Sequence, residues 1–137
     1  MRKLFFVIAS AQCLLSGCAQ PCNNVSFASW NLVDRVVVEV VGQHQQQTIV
    51  DPVAIQKIRV FLSRRADHWE QPFPDTPMGA VRLDAYQGDK GISYMAVGPT
   101  FLEAPGCGYV VSRKLSGDDQ REILGILGIS NTVFQLH

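Results

Sequence analysis

The chain has 137 residues, 47% of them hydrophobic and 18% charged, with 12 Lys+Arg against 12 Asp+Glu. That length holds one domain and excludes a large multi-domain enzyme. The charge balance excludes the strong basic bias of a nucleic-acid binder, and the hydrophobic fraction excludes a wholly disordered chain. Arg2 and Lys3 form a basic start, and Leu4 to Leu15 is a mostly apolar run broken only by Ser10 and Gln12. A run of about 12 residues is too short to span a hydrocarbon core of ~30 Å as a helix. It fits the apolar region of a secretory signal, which is removed from the mature protein. No later stretch has the apolar length of a membrane-spanning helix.

The signal ends in Leu15-Ser16-Gly17-Cys18. These four residues resemble the lipobox of bacterial lipoproteins at every position. The resemblance covers only the targeting segment. It implies diacylglycerol transfer to the Cys18 thiol, cleavage before Cys18 and acylation of the new amino terminus. Several acyl chains anchor far better than one, each buried methylene contributing about 0.8 kcal/mol. Ala19 stands where an aspartate would imply inner-membrane retention, so the family rule points to the outer membrane, facing the periplasm. The expected division is a signal over 1–17, a lipidated tether over 18–31 and one globular domain over 32–137.

Cys13 leaves with the signal and Cys18 carries lipid, which leaves Cys22 and Cys107. In an oxidising compartment these two make a natural disulfide. The bridge would contribute roughly 4–5 kcal/mol in the chain-entropy account of loop closure. The alternative is two free thiols with Cys107 as a nucleophile, but glycines on both sides read as turn chemistry. Loss of Arg2 and Lys3 leaves 10 basic against 12 acidic residues and a formal charge of −2, with no attraction to acidic polymers.

Residues 19–31 read as a polar spacer, with Phe27 and Trp30 able to dock back. Val33 to Val41 is a β-branched run suited to a strand, with Val36, Val38 and Val40 on one face. Gly42 to Gln47 is predicted as a solvated hairpin tip, with Thr48 to Val50 returning. Asp51-Pro52 is a helix start, with Asp as N-cap and Pro in the first turn. Ile55, Ile58, Leu62 and Trp69 mark the apolar face of a helix from 52 to about 66. The Arg64-Arg65 pair is expected as its solvated end. The prolines at 72, 74 and 77 exclude regular structure there.

Ala80 to Tyr86 alternates, Gly88-Asp89-Lys90-Gly91 turns, and Ile92 to Val97 returns. Gly98-Pro99 punctuates before Thr100 to Leu102, Pro105-Gly106-Cys107-Gly108 turns, and Tyr109 to Arg113 supplies another strand. Ser116 caps a second helix, Asp119 completes a weak capping box, Ile123, Leu124 and Leu127 form its stripe, and Gly128 stops it. The fold class is α+β: a small two-layer domain, an antiparallel sheet with two helices on one face, in the order β(β)-α-β-β-β-α.

Chemistry is sparse. His44, His68 and His137 lie far apart in sequence, no Cys-x-x-Cys or His-Glu-x-x-His occurs, and no metal or cofactor is expected. Asp67, His68 and Glu70 are the residues an acid/base site would use, the different-class alternative being a small periplasmic hydrolytic or cell-wall-active enzyme. No Gly-x-Ser-x-Gly elbow, phosphate loop or dinucleotide fingerprint appears. The segment with binding character is 69–78, where Trp69, Phe73 and Met78 stand among prolines. Tyr86 falls opposite Val81 and Leu83, on the sheet face that the helices leave uncovered. The alternative is that Trp69 closes the core from the helix end and Phe73 anchors the loop. The expectation is a non-catalytic, lipid-anchored envelope protein with a protein partner, serving as an accessory factor or an inhibitor or immunity-type protein, with no nucleic acid involved.

Overall fold

A computed structural model describes residues 21–71 and 80–135. Six strands make one antiparallel sheet: β1 (Arg35–Val40), β2 (Gln45–Ile49), β3 (Val81–Gln87), β4 (Lys90–Val97), β5 (Phe101–Gly106) and β6 (Tyr109–Lys114). Their spatial order is β2-β1-β3-β4-β5-β6. Helix α1 (Pro52–Ser63) follows β2 and helix α2 (Gly117–Leu127) follows β6. The domain is therefore the α+β type read from the sequence, with four strands between the helices where the expected order had three.

Alternation decides which face is buried. Val36, Val38 and Val40 of β1, Val81, Leu83 and Ala85 of β3, and Met95 and Val97 of β4 all point into one cluster. Ile55, Ile58, Phe61 and Leu62 of α1 and Ile123, Leu124 and Leu127 of α2 fill it from the other side. The helix ends follow their caps. Asp51 accepts from the amides of Val53 and Ala54, and Ser116 and Asp119 form the reciprocal capping box. Gly128, at φ +67°, supplies the left-handed residue after α2 that side chains resist.

Four expectations change. First, α1 stops at Ser63, and Arg65 is 5% exposed, so only Arg64 is a solvated helix end. Second, Gln45–Gln47 belong to a strand, their backbone pairing with Val38–Val40. All of β2 but Ile49 is exposed, so the edge strand carries no apolar alternation for a sequence reading to find. Third, β5 runs on to Gly106 through Pro105. Its pairing with β4 covers Glu103 and Leu102, so Pro105 lies where β4 no longer pairs, a position at which a sheet tolerates a residue without N–H.

Fourth, the stretch expected as a spacer becomes part of the domain from residue 21 onward. Cys22, Val25, Trp30 and Val33 join the core, and a short 3₁₀ turn (Ala28–Leu32) lies between. The strap is held by backbone bonds from Val25 to Ala66 (2.8 Å) and from Trp69 to Asn23 (3.1 Å). Arg59 adds bonds to the carbonyls of Trp30 and Val33 (2.8 and 2.6 Å). Cys22 is disulfide-bonded to Cys107, with Cα atoms 5.9 Å apart. Gly106 makes the junction possible, because a Cβ there would stand 2.9 Å from Val111, 3.0 Å from Val25 and 3.3 Å from the Cys22 sulfur.

Candidate functional site

Among the described residues, no helix covers the other face of the sheet over β1, β3 and β4. The register sets Arg35 beside Tyr86, Val37 beside Asp84, and Glu39 beside Arg82. Across the next strand pair, Asp84 meets Tyr94 and Arg82 meets Ala96. Each tyrosine lies beneath an arginine. The Arg35 guanidinium sits 4.4 Å from the Tyr86 ring centre and donates to the Gly88 carbonyl (2.9 Å). The Arg82 guanidinium sits 5.5 Å from the Tyr94 ring centre, and its Nε donates to both Asp84 oxygens (3.0 and 3.1 Å). The Arg82 proton is held more tightly than usual. The Asp84 hydrogen bond is the largest cause and works against partial burial, with help from the charges of Asp84 and Glu39. A β-bulge between Ala85 and Tyr86 lets Tyr86 lie over Gly91. The result is a flat patch in which two aromatic rings and two guanidinium planes are already positioned.

A second region is an open, polar cleft of about 680 Å³ beside the strap. Asn23, Asn24, Asp67, His68, Trp69, Glu70, Arg113 and Lys114 line it. Asp67 and His68 touch (Oδ2 to Nε2, 3.4 Å), and the His68 side chain is 80% exposed. Arg113 fixes the loop by donating to the Asp67 carbonyl (2.8 Å). Glu70 exchanges two backbone bonds with Ser112 (2.9 and 2.8 Å) and so lengthens the sheet by one bridge. Among the described residues that line the cleft there is neither serine nor cysteine.

The residues singled out in the sequence separate. Trp69 is 1% exposed; its indole donates to the Arg65 carbonyl (2.7 Å) and its ring meets Phe27 at 5.8 Å. It closes the core, the packing role of the two it was given. Tyr86 is on the open face. Phe73 and Met78 lie outside the described residues, as does Cys18. Among the described residues, no three of His, Cys, Asp and Glu converge as metal ligands, and no helix is long and apolar enough to cross a membrane. The arginine partners of the tyrosines were missed. Alternation puts Arg82 and Tyr86 on one face, but which residue of a neighbouring strand lies over each ring depends on register and bulge. No protein-family model, curated protein or solved structure matches the chain.

Proposed function

We propose that this is a lipid-anchored protein of the cell envelope, held through Cys18 in the outer membrane, that acts by binding another envelope protein through the open face of its sheet. The observation that carries the reading is the pair of arginine-stacked tyrosines, Arg35–Tyr86 and Arg82–Tyr94. Aromatic and arginine side chains dominate interface energetics, and rings already held in place lose little freedom when a partner arrives. The salt bridge of Arg82 to Asp84 (2.9 Å) keeps the charge on the patch mixed. A fitting partner brings apolar side chains to the centre around Val37, Tyr86 and Tyr94, and both signs of charge to the rim.

The test is an in-cell crosslinking pull-down of the intact protein beside Tyr86→Ala and Arg82→Ala. One specific protein captured by the wild type, and lost or reduced at least about tenfold in either variant, is the expected result; truncating a central interface residue costs about 2 kcal/mol or more. Capture unchanged in both variants removes the sheet face from the proposal. If no partner is captured and function falls instead with Asp67→Ala or His68→Ala, the enzyme reading at the cleft takes its place. Cys18→Ser is expected to move the protein from the membrane fraction to the soluble one, and continued membrane association would overturn the lipid anchor.

A further inference from the structure

Resting on the lipid-anchored reading, we infer that the tip of the β5–β6 hairpin lies against the bilayer surface, with the paired Pro105 and Val110 as a lipid-facing edge. Chain length carries the first part. Cys22 is buried and bonded to Cys107 at the hairpin tip, with Cα atoms 5.9 Å apart. Only Ala19, Gln20 and Pro21 separate Cys22 from Cys18. Four residue steps span at most about 14 Å even when fully extended. A domain of this size has a radius of gyration near 13 Å and is roughly 30 Å across. The leash is shorter than the domain is wide, so the end that bears Cys107 cannot turn away from the membrane that holds Cys18.

Surface chemistry carries the second part. The sequence has no charged residue from 104 to 112, and none from 4 to 33. The hairpin tip and the strap bonded to it thus form an uncharged strip, bordered on one side by the cleft that holds Asp67, Glu70, Arg113 and Lys114. At that tip Val110 is 39% exposed, although it is a large aliphatic side chain. Tyr109, by contrast, packs against the core with its hydroxyl shielded from solvent, and a shallow hollow of about 470 Å³ runs between Tyr94, Pro105, Tyr109 and Val110. Apolar side chains such as Pro105 and Val110, without carboxylates beside them, are suited to the boundary between headgroups and acyl chains. The disulfide, in this arrangement, carries the membrane anchor across to the sheet and fixes which end of it faces lipid.

The experiment uses the full-length lipidated protein in phosphatidylcholine vesicles whose acyl chains carry bromine, which quenches nearby tryptophan. Trp30 and Trp69 are both buried and give a constant background. Val110→Trp reports on the hairpin tip. Val41→Trp reports on the opposite end of the sheet, beyond the row that joins Val40, Val81, Val97 and Leu102. Quenching roughly threefold stronger at 110 than at 41 is expected, since an interfacial side chain reaches within about 5–10 Å of the acyl boundary. A Gly-Ser linker longer than the domain is wide, inserted after Ala19, is expected to abolish that difference. Flotation with the vesicles but equal quenching at 110 and 41 would overturn the orientation and leave the anchor standing. Failure to float would overturn both.

Discussion

Arg65 shows how one side chain joins two helices. It lies one position beyond the Arg64 cap of α1, and its guanidinium packs 3.6 Å from the centre of the Phe61 ring. It donates to the Phe61 carbonyl (2.6 Å), to Asp119 and to Glu122 (3.3 Å). Burial of Asp119 by itself raises its pKa. The Arg65 hydrogen bond and charge, together with the Ser116 bonds, outweigh that and bring it below the ordinary 3.8. A carboxylate whose folded pKa is depressed contributes stability that is present above the unfolded value and lost as the pH falls through the folded one. The stability gap between wild type and Asp119→Asn is therefore expected to be constant near neutrality, to narrow below about pH 4, and to close in stronger acid. Urea titrations across that range read it directly, and a gap that does not change with pH would show that the ion pair contributes nothing. Arg65→Ala should weaken the pH dependence, the Ser116 bonds to Asp119 remaining, while costing about 3 kcal/mol because partly buried carboxylates lose their partner. The sequence hid this role. Arg64 and Arg65 look alike in a basic pair, and only the facing helix tells them apart.

Among the elements, those whose side chains alternate or carry caps were legible and those defined by their neighbours were not. β1, β3 and both helix starts follow from Val36-Val38-Val40, Val81-Leu83-Ala85, Asp51-Pro52 and Ser116-Asp119. β2 was read as a loop tip because Gln45–Gln47 are polar without alternation, and only pairing with β1 makes them a strand. The β5–β6 turn is a sharper case. Its two central residues, Cys107 and Gly108, both have positive φ (+49° and +87°), as a type I′ hairpin requires. Glycine adopts that conformation freely, whereas a cysteine there is held by its bond to Cys22. With Cys22→Ala removing the bridge, Cys107→Asn is expected to be more stable than Cys107→Ala by about 1 kcal/mol, because asparagine tolerates the left-handed region and alanine does not. Equal unfolding midpoints for the two double variants would mean that the turn relaxes once the bridge is gone.

At the scale of the whole molecule, the strap gives the fold its closure. Residues 19–31 looked like a tether because they are polar and small overall, yet Cys22, Val25 and Trp30 reach the core along an irregular path that leads into Val33. No period of two or four marks such a segment, so its docking could not be read from pattern, whereas the pairing of its cysteine could be expected from compartment and count. The bridge spans 85 residues of chain, and removing it with Cys22→Ala and Cys107→Asn is expected to cost about 2–5 kcal/mol, through the freedom regained by the unfolded chain. That loss acts on the unfolded state and does not by itself open the native one. Val25 still bonds to Ala66 and Trp30 remains in the core, so the sheet should persist with its register intact. The strap end is different, since Asn23 and Cys22 lose their covalent hold. Hydrogen exchange under native conditions should therefore show the Trp69 amide, bonded to Asn23, opening much faster in the bridge-free variant, with the Val25 amide following it. The amides that pair β3 with β4 should slow or quicken only with global stability. Uniform acceleration across all of them would mean that the bridge stabilises the fold only globally and does not hold down the strap in particular.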